Sequence, residues 1–161
     1  MIEVYRIAIE KYAGSLFASG RPARWNDKNQ FVLYTGSTRS LCALELLVRR
    51  ASIRVRIPYK IMVIQVEVDV TETFSIAKHE LGDNWRTTGA YPLLRQKGSD
   101  WYNSAHSLVL RVPSAVIPAE NNYIINTMHK DYSTRTKLLS TEDFLWDERL
   151  LDKNRGVTTL S

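Results

Sequence analysis

The stretch Phe31-Val32-Leu33-Tyr34-Thr35-Gly36, continuing into Ser37-Thr38-Arg39-Ser40-Leu41-Cys42-Ala43-Leu44-Glu45, changes period half-way along. Phe31 to Thr35 is a compact apolar run, the signature of a strand, and Gly36 ends it. Ser37 or Thr38 can then cap a helix by accepting a backbone N–H, and the spacing predicts a helix through about Ala51. Leu41, Leu44 and Val48 repeat at helical spacing, and Glu45 lies one turn beyond Leu41 in the same arc. A carboxylate on an apolar face is costly for a fold and useful for chemistry. Just upstream, Arg24-Trp25-Asn26 brings a guanidinium and Tyr34 brings a phenol.

Outward from this stretch, strands and helices alternate irregularly. Glu3 to Ile9 is β-rich, and residues Lys11 to Lys28 read as loop or broken helix. Tyr59 to Asp69 is the clearest strand, its start marked by Pro58. A helical piece is expected around Ala77 to Leu81, and a second helix over Pro92 to Ser104 with Gly98 interrupting it. Leu108 to Val112 and Tyr123 to Ile125 read as strands joined by a turn around Pro118. Near the end, either Phe144, Trp146 and Leu150 line a final strand or Thr141 caps a short helix. The absence of a Val/Ile-rich βαβ series argues for an α+β (mixed α/β) architecture over a doubly wound parallel one. No repeat or Pro/Gly-rich linker divides the chain, so residues 1–161 are expected to form a single domain.

With 161 residues, 44% hydrophobic and 24% charged, the chain has the composition of a soluble globular protein, long enough to bury a core without disulfides or metals. The lone cysteine, Cys42, sits in an apolar helical run and reads as a small core residue. The start Met1-Ile2-Glu3-Val4-Tyr5-Arg6 lacks the features of a signal peptide, and no window approaches the roughly 18 apolar residues of a membrane span, so the expectation is a cytoplasmic protein. The net charge of +5 suits a polyanionic partner: nucleic acid, a phosphorylated cofactor or an acidic protein. Arg49-Arg50, Arg54, Arg56 and Lys60 are the densest basic stretch, and capping of the helix end accounts for them without any ligand. His79, His106 and His129 are scattered and have no paired cysteines, so no metal is expected. No Gly-rich phosphate loop, zinc finger or helix-turn-helix is present.

From spacing alone, two readings of Arg24, Tyr34 and Glu45 stay open. They could form a site. Alternatively, Glu45 could pair with Arg49 one turn later, Tyr34 could be an ordinary strand aromatic, and Arg24 a surface residue beside a core Trp25. The matching alternative function is a non-catalytic basic binding module for nucleic acid or an acidic protein partner. The sparse Lys/Arg layout counts against it.

The order of short motifs resembles the RES domain family, named for its Arg, Glu and Ser residues. The matching segments are Val4-Tyr5-Arg6-Ile7, Ala23-Arg24-Trp25-Asn26, Tyr34-Thr35-Gly36 and Ser40-Leu41-Cys42-Ala43-Leu44-Glu45. They continue with Val112-Pro113-Ser114-Ala115-Val116-Ile117-Pro118, Asn122-Tyr123-Ile124-Ile125-Asn126 and Phe144-Leu145-Trp146-Asp147-Glu148-Arg149-Leu150. Pro22-Ala23 replace the family's glycine pair, Thr127 replaces its proline after the second Asn, and residues Val70 to Lys97 match weakly. The resemblance implies a fold like that of diphtheria-toxin-type ADP-ribosyltransferases. It also implies the toxin of a bacterial toxin–antitoxin pair, with an Xre-type helix-turn-helix antitoxin as partner, acting on NAD⁺ by hydrolysis or by ADP-ribosyl transfer to an acceptor protein. Arg24, Tyr34, Glu45 and Ser114 stand at the positions of the family's Arg, site Tyr, Glu and Ser.

The implied chemistry suits these residue types. Breaking the nicotinamide–ribose bond makes the ribose oxocarbenium-like, and a carboxylate such as Glu45 stabilises that charge. Arg24 offers a planar fork for the diphosphate. Tyr34 can lie against the nicotinamide ring. Ser114 could hold the ribose or brace Glu45, and Arg6 could pair with Glu45 or with the dinucleotide. Asn26 is a further candidate near the cofactor, although Asn26, Asn122 and Asn126 also read as loop-fixing residues. His129 is expected at the surface. An acidic antitoxin tail opposite Arg24 is the expected restraint, and self-association is left open.

Overall fold

The computed structural model describes residues 1–49, 53 and 56–151. Seven strands are placed: β1 (Ile2–Ile9), β2 (Val32–Gly36), β3 (Tyr59–Val66), β4 (Phe74–Ser75), β5 (Val109–Pro113), β6 (Asn121–Asn126) and β7 (Thr136–Phe144). They form one sheet in the order β4-β5-β6-β2-β1-β3-β7. Every pairing is antiparallel except β4 with β5. The helices are α1 (Arg39–Leu47), α2 (Tyr91–Ser104), α3 (Tyr132–Arg135) and α4 (Glu148–Leu151). The mixed α/β architecture expected from the irregular alternation is the one that forms.

Period-2 geometry explains how one sheet supports two cores. Successive strand residues point to opposite faces. In β2, β5 and β6 both members of each neighbouring pair are apolar: Val32 and Leu33, Val109 and Leu110, Ile124 and Ile125. Leu33, Val109 and Ile125 join Val4, Met62 and Ile64 in a core on one face. Val32, Leu110 and Ile124 join Trp25, Leu94 and Trp101 on the other. Cross-strand register keeps the sets together, with Leu33 opposite Ile125 and Ile125 opposite Val109. Burying one such aliphatic side chain contributes about 1.5–3 kcal/mol. The central strands are thus held from both sides, which gives the site a rigid floor.

Gly98 does not break α2. It lies buried in mid-helix, because the helix there touches the Arg24-Trp25-Asn26 loop. A Cβ at position 98 would stand 1.8 Å from the Trp25 carbonyl oxygen. Thr38 is the residue that caps α1, its Oγ1 accepting from the Leu41 N–H at 3.0 Å. The helix ends at Leu47 with Val48 as its C-cap, so Val48 and Arg49 form a turn in place of the expected longer helix. The rest of the expected continuation to Ala51 lies outside the described residues, as does Arg54. The apolar arc of α1 is also rotated from the expected one. Leu41 and Cys42 are buried, whereas Leu44 and Val48 are exposed. Glu45 keeps its place in the buried arc because it stacks over Leu41, not over Leu44.

Three smaller expectations change. The helical piece near Ala77 to Leu81 is a single 3₁₀ turn, Lys78–Glu80. Thr141 lies inside β7 and caps nothing, because that strand starts earlier than the sequence signals and pairs with β3 along its length. His129 is buried, its Nδ1 accepting from the Asp131 N–H at 3.2 Å. No helix among the described residues is long and apolar enough to cross a membrane.

Candidate active site

A cavity of about 440 Å³ opens where β2 runs into α1, within the usual size range of small-molecule sites. Arg24, Tyr34 and Glu45 all line it, together with Arg6, Arg21 and Arg49. The turn between strand and helix makes this convergence possible. Gly36 lies so close to α1 that a Cβ there would meet the Cys42 Sγ at 2.8 Å. The helix therefore leaves the sheet tightly, and its first buried turn carries Cys42 and then Glu45 onto the cavity wall.

Glu45 is held from the sheet. Its Oε1 accepts from the Ser114 hydroxyl at 2.8 Å and from the Asn122 Nδ2 at 2.7 Å. Among the described residues no hydrogen bond reaches Oε2. One oxygen is thus fixed by protein donors while the residue borders the cavity. No ion pair joins Glu45 to Arg49 or to Arg6 among the described residues. Ser114 is fully buried and stands behind Glu45, not on the cavity wall. Its Oγ also accepts from the backbone N–H groups of Val116 and Ile117, both at 3.0 Å. Of its two expected roles, the observed contact is the brace.

Tyr34 ties the upstream loop to the sheet. Its hydroxyl donates to the Asn26 Oδ1 at 2.8 Å and accepts from the Trp25 N–H at 3.0 Å. Burial pushes the phenol well above its ordinary pKa, so it stays neutral. Asn26, a candidate for the cofactor, does not line the cavity. It is buried and its Nδ2 donates to the carbonyls of Arg21 and Asp27. The residue is consumed in shaping the loop that presents Arg24.

The guanidinium of Arg24 reaches across to a second loop. Nη1 donates to the Trp85 carbonyl and Nη2 to the Arg86 carbonyl, each at 3.1 Å. Its flat face lies 4.8 Å from the centre of the Tyr91 ring. Arg95 borders the same ring, at 5.3 Å, and its Nε donates to the Ala23 carbonyl. Arg6 donates from Nη1 to the Phe17 carbonyl at 3.2 Å, and burial lowers its proton affinity. Cys42 also borders the cavity. Its thiol donates to the Tyr5 carbonyl at 2.9 Å, and burial pushes its pKa up to about 12. A thiol so protonated is a poor nucleophile. Among the described residues no cluster of three or more His, Cys, Asp or Glu side chains could hold a metal ion.

Two contributors escaped the sequence reading. Asn122 passed for a loop-fixing residue and instead positions the acid. Arg49 passed for a cap or an ion-pair partner and instead borders the cavity. The signal for Arg49 was its spacing of four residues from Glu45, which puts both on one helical face.

A family model described as RES domain matches residues 3–147. The chain belongs to the RES domain family. Toxin is the function class that this membership gives it. The protein named Toxin Res of Yersinia enterocolitica (serotype O:8 / biotype 1B) is 30% identical over 151 residues, covering 91% of this chain and 98% of that one. The Prs ADP-ribosylating toxin of a Sphingobium species (strain YBL2) is 29% identical over 142 residues, covering 88% and 86%. Among solved structures, a chain of the M. tuberculosis MbcT–MbcA toxin–antitoxin complex superposes with a TM-score of 0.70 at 15% identity, covering 89% of this chain and 84% of that one. At that identity the likeness is one of fold.

Proposed function

We propose that this RES toxin consumes NAD⁺, breaking the bond between nicotinamide and the ribose C1′. The observation that carries the reading is the braced carboxylate of Glu45 on a cavity otherwise bordered by four arginines, Arg6, Arg21, Arg24 and Arg49. The dinucleotide has the complementary pattern: a diphosphate to meet the cations, and a ribose that becomes positive during cleavage. The bonding pair of the C1′–N bond leaves with nicotinamide, which departs neutral. The ribose ring turns oxocarbenium-like, and the negative charge of Glu45 stabilises it. Because Ser114 and Asn122 already hold Glu45, little reorganisation accompanies the reaction. The Tyr34 ring supplies a flat apolar wall for nicotinamide.

The ribosyl cation is then captured by water or by a side chain of an acceptor protein. The ADP-ribosylating relative supports transfer, while hydrolysis requires the same first step. The residue matches also support an Xre-type helix-turn-helix antitoxin as partner, covering the cavity in the resting cell, and a cytoplasmic site of action. The toxin–antitoxin complex with the similar fold is consistent with such a partner.

The test is nicotinamide release from NAD⁺ by the purified protein, with and without candidate acceptors. Glu45→Ala is expected to keep its fold and lose about 100- to 1,000-fold in turnover, the usual effect of removing one preorganised charge-stabilising group. Wild-type turnover in Glu45→Ala would end this mechanism.

A further inference from the structure

The four guanidiniums around the cavity are not equivalent. Arg24 is committed to the Trp85 and Arg86 carbonyls and to the Tyr91 ring. Arg6 is engaged with the Phe17 carbonyl in a desolvated place that disfavours its charge. Arg21 and Arg49 are different: among the described residues neither side chain has a hydrogen bond or a carboxylate within 4.0 Å. Of the two, only Arg49 follows Glu45 by four residues along the chain that leaves α1. The Arg49 backbone N–H donates to the Leu46 carbonyl at 3.0 Å, so a tight turn continues the helical path past Glu45. Four residues of helix rise about 6 Å, and the two side chains share a face. Arg49 and Tyr34 border the same cavity.

This spacing fits the substrate of the proposed reaction. A ribose whose anomeric carbon lies at Glu45 carries its 5′-phosphate at a distance of the same order as one helical turn. A guanidinium uncommitted among the described residues, held at that distance, matches two phosphate oxygens with its fork. We propose that Arg49 is the cation that grips the diphosphate, while Arg24 chiefly fixes the Trp85–Arg86 loop against the Arg24-Trp25-Asn26 segment. The assignment rests on the NAD⁺ reading above. It divides between two residues a task that a single site arginine would otherwise perform alone.

Steady-state NAD⁺ cleavage with inorganic pyrophosphate as competitor tests the division. Arg49→Ala is expected to raise KM by about 30-fold, the worth of a charge-assisted bond, with the loss falling mainly on KM and not on kcat. Pyrophosphate inhibition should weaken by a similar factor, and Arg49→Lys should recover part of both. Arg24→Ala should instead lower kcat and the melting temperature together. A KM within twofold of wild type in Arg49→Ala, with pyrophosphate still competing as well, overturns the role of Arg49 and leaves the NAD⁺ reading standing. A wild-type protein that releases no nicotinamide overturns the NAD⁺ reading, and the assignment falls with it.

Discussion

Replacing Gly98 by alanine separates two opposite forces. In an exposed helix this change stabilises by about 1 kcal/mol, because alanine loses less backbone entropy. Here the new Cβ would lie 1.8 Å from the Trp25 carbonyl oxygen and 2.7 Å from its carbon. Both atoms are backbone, so no rotamer change relieves the contact. To restore even 3.0 Å, the Trp25 carbonyl and α2 must part by about 1.2 Å. Overpacking of this kind costs about 1–3 kcal/mol, and a backbone contact belongs at the upper end. The net expectation is a destabilisation of about 1–2 kcal/mol. The effect on turnover should be larger than the stability loss implies. The displaced residue donates its N–H to Tyr34 and sits between Arg24 and Asn26, so the shift is delivered straight to the cavity wall, where about 1 Å of misplacement can cost 100-fold. Denaturant unfolding at constant m-value gives the first quantity, and nicotinamide release under conditions where the variant is fully folded gives the second. A Gly98→Ala protein more stable than wild type, with undiminished turnover, would refute the packing account of this glycine.

Two further outcomes follow from the polar contacts. Tyr34→Phe keeps the ring at the cavity but leaves the Trp25 N–H and the buried Asn26 Oδ1 without their partner, and a loss of about 1–3 kcal/mol in denaturant unfolding is expected; an unchanged midpoint would show that the hydroxyl does not hold the loop. The Cys42 thiol is raised to about 12 in the fold, above its value in an unfolded chain. Its neutral form therefore supports the fold fully below the unfolded thiol pKa, and that support is lost as pH rises from there through about 12. At pH 8 alkylation by iodoacetamide should accordingly be far slower in native protein than in denaturant, and equal rates would contradict the burial.

Sequence patterns exposed much of the fold because the central strands are apolar on consecutive residues and the α1 cap is strong. Tyr59 to Val66 and the Gly36–Thr38 boundary were readable for that reason. What stayed hidden depends on contacts distant in sequence. Gly98 looks like a helix breaker until the Trp25 carbonyl is seen against it. Thr141 looks like a cap until β3 is seen beside it. Helical spacing placed Glu45 correctly over Leu41, but it could not tell that Leu44 and Val48 face away, since the periodic positions of a nine-residue helix fit more than one arc. In the site, the residue types of Arg24, Tyr34 and Glu45 were legible by their match to family motifs. Ser114, 69 residues from Glu45, was legible in the same way, with bracing of Glu45 as one of its two expected roles. Asn122, 77 residues away, was not, because only β6 brings it there.

Those long separations have a consequence during synthesis. The acidic group leaves the ribosome early, while the hydroxyl and amide that will aim it are still untranslated. Until β6 slots in beside β2, the carboxylate has neither brace nor fixed direction. Under the proposed mechanism, a nascent or prematurely terminated chain would lack the aimed carboxylate on which cleavage depends until the sheet closes.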